Sequence, residues 1–423
     1  SQEYICVSIA DILFQIRSEV QIMSLIVQKF GGSSVADRDR IFNVAGIATR
    51  TFSDGNDVIV VVSAQGDTTD ELLSKAAEIN RNPTTREMDM LLSTGEQISI
   101  SLLAMAIQSL GFPVVSLTGW QMGLRTDSNH SSARIKSLTN TRIQEELSNR
   151  KIVIVAGFQG INKSYDITTL GRGGSDTTAV ALAAQLRADL CQIYTDVDGV
   201  YTADPRKIKN AKKLDHISYD EMLELATMGA QVLHNRSVEL AKRYNVNLEV
   251  LSSFSGQPGT IVKENDQMEK MLVRGIAKDD DVAVIELIDV RDIPGIAFKV
   301  FSLIANKKIS VDMILQSTGR NGNRDISFTI AKGNVDAAVK ALDELKPVLG
   351  FSEVSVNEDV AKISLVGTGM INNAGIAAGM FEALSNSDIN IQMISSSEIK
   401  ISVLIDKKDA DRAIQAIHDQ FFD

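Results

Sequence analysis

Cysteine is almost absent: Cys6 and Cys191 are the only two in 423 residues, and no C-x-x-C pair occurs. A disulfide framework is not expected, and a reducing, cytoplasmic setting fits. The four histidines, His130, His216, His234 and His418, are scattered without metal-ligand spacing, so no zinc or other protein-built metal site is expected. Basic residues do not predominate. With 43 Lys and Arg against 54 Asp and Glu the net charge is −11, which argues against a nucleic-acid or anionic-membrane partner. It leaves open an anionic small substrate, which feels only its own pocket. No apolar run approaches the length of a membrane span. The G-x-x-x-x-G-K-[ST] phosphate loop is missing, as are the H-R-D and D-F-G motifs of protein kinases.

What is present describes a multidomain globular chain. Its length is too great for one ordinary core, and 44% apolar with 23% charged residues is globular composition. In residues 1–22, Ile5, Ile9, Ile12, Leu13, Ile16 and Val20 recur at helical spacing, without the basic start or cleavage site of a secretory signal. An extension upstream of a natural start at Met23 is expected. The alternative is an amphipathic helix that docks on a partner.

From Leu25 to about residue 250, strand-like runs (Leu25–Phe30, Val58–Ala64, Ile152–Phe158, Gln192–Val197, Leu248–Leu251) alternate with helical patterns. The latter include Glu96–Gly111, stopped by glycine and Pro113, and Ser218–Gln231, opened by a Ser218/Glu221 capping box. Continuous Val/Ile strands between helices predict an α/β domain around a mainly parallel sheet. At "SGQPG" the periodicity stops, and a boundary is expected near residues 255–272.

Beyond it lies an internal repeat. Gly295–Ser317 and Gly375–Ser397 align without a gap at an offset of 80, with nine of 23 positions identical. Each copy reads strand, glycine loop, helix, strand, strand, helix, the split βαβ plan. Such modules either serve as duplicated structure or receive a small polar ligand at the glycine loops.

Five stretches carry chemistry. "GRGGSDTTA" crowds Gly173 and Gly174 with Arg172, Ser175 and Asp176 ahead of a helix, where free amides attract phosphate and an arginine can grip a carboxylate. A plain helix cap by Ser175 or Asp176 is the competing account. "VQKFGGSS" puts Lys29 at a strand end beside Gly31 and Gly32, placed to neutralise a transferring phosphoryl group. "VVSAQGDTTDEL" offers Ser63 and Thr69 after a buried strand, the edge where open α/β sheets bind ligands. "LLSTGEQ" places Glu96 just inside a helix start, either as a first-turn acid or as a partner for an ammonium group. "YTDVDGVYTADPR" holds Tyr201 and Arg206, an aromatic wall and a cation for a nucleotide.

Together, and with "VAGFQG" and "GAQVLHNRSVELAKRYNV", these stretches resemble the amino-acid kinase family, and within it the members that phosphorylate the side chain of L-aspartate. "DIPG" and "NNAG" resemble that branch's tandem ACT domains. The resemblance runs from Leu25 to Asp423. It implies a three-layer αβα kinase domain with a mainly parallel sheet, followed by two βαββαβ ACT domains of ferredoxin-like plan. The expected divisions are an extension to residue 23, a kinase domain over 24–257, a linker over 258–274, and ACT domains over 275–350 and 351–423.

It further implies ATP-dependent formation of 4-phospho-L-aspartate, with Mg²⁺ carried largely by phosphates, as the first step toward lysine, threonine, methionine and isoleucine. In that reading Lys29 contacts the transferring phosphate and Asp176 organises it. Arg172 holds the α-carboxylate, and Glu96 meets the amino group or tethers Lys29. Ser63, Thr69, Phe158 and Thr169 complete the substrate pocket. Phe30, Gly31, Gly32, Gly173, Gly174, Ser175, Thr195, Asp196, Tyr201, Arg206 and Gln231 serve the nucleotide. Gln231 stands where many relatives carry lysine, which implies a weaker grip on ATP.

Lysine or threonine, or both, are implied as inhibitors. Asp292, Ile293, Pro294, Gly295, Asp312 and Gln316 would contact them from one ACT unit, and Gly375, Ile376, Ala377, Ile391, Gln392 and Glu398 from the other. Assembly is implied as a homo-oligomer or as an α2β2 complex with short chains begun at Met268 or Met271. Another acceptor amino acid, or a sensor without turnover, are the rival readings.

Overall fold

The computed structural model describes residues 23–227, 232–264, 273–318, 323–368, 370, 373 and 375–422. The expectations that fall on residues 1–22, Gln231, Met268 and Met271 lie outside the described residues. By internal packing the chain divides in two. Residues up to Val200, with Leu214–Tyr219 and Val232–Asn265, form one unit; Tyr201–Lys213, Asp220–Gln231 and the chain from Asp266 onward form the other.

The first unit contributes strands β1 (Leu25–Phe30), β2 (Asp57–Val62), β3 (Val114–Leu117), β4 (Leu124–Thr126), β5 (Ile135–Leu138), β6 (Ile152–Ala156), β7 (Gln159–Ile161), β8 (Ile167–Thr169), β9 (Leu190–Thr195), β10 (His216–Ile217), β11 (Leu248–Ser252) and β12 (Thr260–Val262). Eight of them form one sheet in the order β10-β12-β11-β9-β1-β2-β6-β3, parallel throughout except for the β11/β12 pair. The central strands are buried on both faces, which is why they read as unbroken Val/Ile runs.

Alternation along the strands separates the layers. Phe30, Val58, Val60, Val62, Ile152 and Ile154 pack with Val44, Ala48, Leu103 and Ile107 of helices Arg38–Ser53 and Thr85–Ser109. Helix Gly174–Leu186 packs on β1, β2 and β9 and against helix Asn235–Tyr244. A small second sheet, β5-β4-β7-β8, is built from short strands whose periodicity is too brief to stand out in the sequence.

Helix Thr85–Ser109 begins well before the expected Glu96, because its first turns are polar and interrupted by Gly95. That glycine is required by packing rather than by a turn: a Cβ there would lie 2.7 Å from the Cβ of Ala64. By length and composition this helix could cross a bilayer, contrary to the reading of the sequence. Here it packs on helix Arg38–Ser53 and on β8 and buries Asp89 and Glu96, as a core helix does.

The second unit adds β13 (Gly275–Asp279), β14 (Ala283–Arg291), β15 (Ile314–Thr318), β16 (Asn323–Ile330), β17 (Glu353–Asn357), β18 (Val360–Val366), β19 (Met393–Ser396) and β20 (Lys400–Asp406). They form two antiparallel sheets, β15-β16-β14-β17 and β13-β18-β20-β19. The repeat read as strand–helix–strand–strand–helix is completed in each copy by a sixth element. For the first sheet it is β17, which follows in sequence. For the second it is β13, which precedes the first sheet in the chain and pairs antiparallel with β18. A strand contributed from so far upstream leaves no local signal.

Candidate active site

Parallel register brings the ends of four neighbouring strands to one edge. Phe30 pairs with Val62 and Tyr194, and Val62 pairs with Ala156, so Lys29, Ser63, Phe158 and Thr195 all fall at the carboxyl ends of β1, β2, β6 and β9. This is the edge at which open α/β sheets bind ligands.

Lys29 and Phe30 project to opposite faces. Phe30 is buried and stacks on Tyr194 at 4.4 Å, so its ring belongs to the core and only its backbone faces the edge. Lys29 turns toward the helix Gly174–Leu186, where its Nζ lies 2.6 Å from Oδ1 of Asp176, with each side chain 12% exposed. At this low exposure the pair is a fixed feature, unlike a solvent-screened surface contact. Behind it Gly32 passes so near β2's loop that a Cβ would lie 2.6 Å from the Ala64 carbonyl.

The glycines of the Arg172 turn are explained by protein neighbours. Gly171 and Gly173 have φ of 79° and 67°, a region other residues enter at a cost of about 1–2 kcal/mol. A Cβ at Gly173 would lie 2.3 Å from the His234 ring, and one at Gly174 would lie 2.8 Å from the Phe158 ring. Between the two left-handed glycines Arg172 is exposed and forms no ion pair among the described residues. Ser175 and Asp176 are buried in the first turn of the helix that follows.

Phe158 itself sits at φ 69°, strain of a kind concentrated at functional sites. It is pinned by two bonds: its amide donates to Thr178 Oγ1 at 3.2 Å and its carbonyl accepts from Leu170 at 2.8 Å. Ser63 is half-buried and its amide donates to the Phe30 carbonyl; Thr69 is half-buried in the first turn of helix Thr68–Ile79. Thr169 is buried and its hydroxyl donates to Asp89 at 2.7 Å, so it faces protein.

Glu96 lies in the middle of its helix, which removes the first-turn account of its charge. One carboxylate oxygen accepts from the Ala64 amide at 3.1 Å; the other is buried without a partner. Burial, with the residue only 4% exposed, pushes its pKa up to about 7. The folded protein therefore holds a proton that the unfolded chain releases above pH 4.5. This stabilisation is complete below 4.5 and is lost as pH rises toward 7, with a ceiling of about 3 kcal/mol. Glu96→Gln, which stays neutral, is expected to melt higher than the unsubstituted protein at pH 8 and alike at pH 5. Parallel pH slopes in thermal melts of the two would overturn this.

The residues expected to serve the nucleotide divide. Thr195 ends β9 and Asp196 follows it, with the threonine hydroxyl donating to the Asp196 carboxylate at 2.9 Å. Tyr201 and Arg206 belong to the second unit, where Tyr201 bridges to Lys213 and Arg206 is forked onto Asp204 with two 3.0 Å bonds.

In the ACT repeat two of the three expected acids are engaged by protein cations. Asp292 is ion-paired with Arg324 at 2.7 Å, and Asp312 lies 2.5 Å from Lys362, a β18 lysine only 5% exposed that also faces Asp279 at 3.4 Å. Ile293 and Pro294 are exposed before Gly295, whose φ of 89° caps helix Ile296–Asn306. Gln316 is exposed on β15. Gly375, at φ 120°, opens helix Ile376–Asn386, with Ile376 buried and Ala377 and Ile391 packed on the same core. Gln392 bonds Asp406 at 2.5 Å, and the carbonyl of exposed Glu398 accepts from Met370.

Two residues were not singled out from the sequence. Asp89 is fully buried and accepts from Ser131, Thr169 and His130. Arg236 donates to the carbonyls of Leu170 and Ala133. The signal for Asp89 was available: it precedes Glu96 by seven residues, two helical turns, on the same buried face as Ser93.

A sheet edge of this kind, carrying a lysine–aspartate pair beside a glycine-rich helix start, and followed by two ferredoxin-like units, defines a small-molecule kinase with two appended ferredoxin-like domains. The chain matches the profile of the amino acid kinase family over residues 24–252 and that of the ACT domain over 288–345 and 363–421. It is 50% identical over 405 residues to the aspartokinase of Mycolicibacterium smegmatis, covering 94% of this chain and 96% of that protein. Among solved structures it is similar to E. coli aspartokinase III in complex with aspartate and ADP in the R-state, with TM-score 0.82 and 28% identity over 94% of this chain and all of that one. It is also similar to the same enzyme in its T-state with lysine and aspartate, with TM-score 0.74, 28% identity and the same coverage. The chain belongs to the aspartokinases of the amino-acid kinase family, and it is an aspartate kinase enzyme.

Proposed function

We propose that this enzyme transfers the γ-phosphoryl group of ATP to the side-chain carboxylate of L-aspartate, giving 4-phospho-L-aspartate as the first step toward lysine, threonine, methionine and isoleucine. The observation that carries the reading is the Lys29–Asp176 pair at the common edge of β1, β2, β6 and β9.

Phosphoryl transfer needs positioning and charge neutralisation more than covalent help. The acceptor is already an anion, so no general base is required. Lys29 offers its ammonium to the transferring group, and Asp176 keeps that ammonium aimed. Arg172 receives the α-carboxylate of aspartate. Glu96, with one oxygen free of protein partners, receives the amino group, whose charge favours the ionised carboxylate. Ser63, Thr69 and Phe158 line the same edge. Gly31, Gly32, Gly173 and Ser175 lend backbone amides to phosphates, and Thr195 and Asp196 serve the rest of the nucleotide.

Among the described residues no group of three His, Cys, Asp or Glu side chains converges to hold a metal. Mg²⁺ therefore enters this reading as part of the nucleotide, chelated by phosphates, where it neutralises charge.

Inhibition by lysine or threonine through the ACT units is part of the reading. The E. coli relative with lysine and aspartate supports it, as do the glycine-capped helices at Gly295 and Gly375. The ligand acts by favouring an inactive arrangement of the enzyme. Exposed Ile314 and Leu315 on the first ACT sheet, and exposed Phe298 on helix Ile296–Asn306, support an oligomer, either of identical chains or with short chains.

The test is ADP release with and without aspartate, then with lysine, threonine and both. Aspartate-dependent release lowered by one of these additions is expected. Release indifferent to aspartate, or driven better by another amino acid, would sink the assignment.

A further inference from the structure

The turn that carries Arg172 is laced to its surroundings by two side chains that the reaction itself does not use. Asp89 is 0% exposed, and a carboxylate so buried is costly unless its bonds are made. All of them go to two short segments. Its oxygens accept from the Thr169 amide at 3.0 Å and the Thr169 hydroxyl at 2.7 Å, and from the Ser131 amide at 3.0 Å, with His130 Nδ1 at 2.9 Å. Arg236 grips the same two segments one step further along. Its guanidinium donates to the Leu170 carbonyl at 2.8 Å and to the Ala133 carbonyl at 2.9 Å. The segments are themselves joined by the Ala133 amide on the Thr169 carbonyl at 2.9 Å. Their approach is close enough that a Cβ on Gly171 would lie 3.0 Å from the Ser131 carbonyl.

We infer that Asp89 and Arg236 are positioning residues for aspartate binding: they hold Thr169 and Leu170, and thereby fix the direction in which Gly171–Gly173 presents Arg172. The inference rests on the proposed role of Arg172 at the substrate carboxylate. Among the described residues Arg172 has no ion pair of its own to orient it, and a left-handed glycine lies on each side of it. The turn closes on itself through the Gly174 amide on the Gly171 carbonyl at 3.0 Å, and the direction in which it points is set by the residues just ahead. Asp89 shares its helix with Glu96, so one helix would place both groups proposed to meet the amino acid. Lys29, which serves the phosphate, is held by a separate contact with Asp176. The phosphate-facing amides from Gly173 to Ser175 open a helix that is fixed separately by its packing on β1, β2 and β9, so the clamp bears chiefly on Arg172 and aspartate.

The experiment uses the full chain with Asp89→Asn, Thr169→Val, Arg236→Lys and the Asp89→Asn/Arg236→Lys double variant. Asparagine sets an NH₂ against amide donors, valine removes the hydroxyl alone, and lysine can reach one carbonyl instead of two. Each single change is expected to raise the aspartate KM about tenfold while the ATP KM stays within about twofold. The double change should raise it by less than the product of the two, since both hold one turn.

Hydrogen exchange of the 170–176 amides is measured alongside and should quicken in each variant, with exchange on β1 and β2 unchanged. Thr169→Val and Arg236→Lys carry the comparison should Asp89→Asn not fold. Aspartate and ATP constants that rise together in step with lost thermal stability would reduce the clamp to ordinary scaffolding and overturn the inference, as would unchanged exchange in the turn. Faster exchange in a protein whose unsubstituted form shows no aspartate-dependent turnover would preserve the clamp and overturn the substrate reading instead.

Discussion

Replacing Lys29 by methionine is expected to lower kcat by about a thousandfold or more, since a fixed cation aimed at developing phosphoryl charge contributes several kcal/mol to the barrier. The same change has a structural consequence that allows the two roles of the residue to be separated. Asp176 lies 2.6 Å from the ammonium at 12% exposure, and removing the cation leaves a largely buried carboxylate without its partner. That situation costs on the order of 3 kcal/mol. The Lys29→Met/Asp176→Asn double variant removes both charges together and is expected to recover most of the lost thermal stability and none of the lost turnover. If Lys29 were only the structural partner of Asp176, stability and activity would return together. A Lys29→Met protein that keeps kcat within about tenfold of the unsubstituted enzyme would overturn the assignment.

Arg172→Ala is expected to show the opposite signature. The side chain is exposed and has no ion pair among the described residues, so its loss should leave the melting temperature nearly unchanged. A bidentate bond to a charged carboxylate contributes roughly 2–3 kcal/mol, so the aspartate KM should rise about a hundredfold with the ATP KM little altered. Lysine at this position restores the charge without the planar fork and should recover only part of the loss. An aspartate constant unmoved by Arg172→Ala would place the carboxylate elsewhere.

Much of this site is legible as text because its chemistry is concentrated in contiguous stretches. "KFGGSS" and "GRGGSD" each combine a charge with glycines beside a helix start, and the structure explains those glycines. Gly32 and Gly173 are hemmed in by Ala64 and His234, and Gly173 also needs its left-handed backbone. Residues whose roles depend on distant neighbours were harder to read. Glu96 looked like a first-turn acid because the polar beginning of its helix resembles a loop; only packing, with Gly95 pressed on Ala64, carries the helix back to Thr85. Thr169 read as a pocket hydroxyl, whereas its bond to Asp89 turns it toward protein. Asp292 and Asp312 of the ACT repeat read as inhibitor contacts, and only the structure pairs them with Arg324 and Lys362.

The sequence by itself determined the class of protein, the alternation of strands and helices, the duplicated ACT module and the identity of the charged residues at the candidate site. All of these are recorded locally, in motifs and in periodicities of two and 3.6 residues. The tertiary structure decided which of those residues meet. It set Lys29 against Asp176 across the β1–helix layer, brought the ends of β1, β2, β6 and β9 to one edge, and grouped Tyr201 and Arg206 with the second unit. It also closed the second regulatory sheet with β13 rather than with a strand of its own repeat. Strand register and packing partners are chosen among segments far apart in the chain, by which faces bury the most apolar surface together, and no short window of residues contains that comparison.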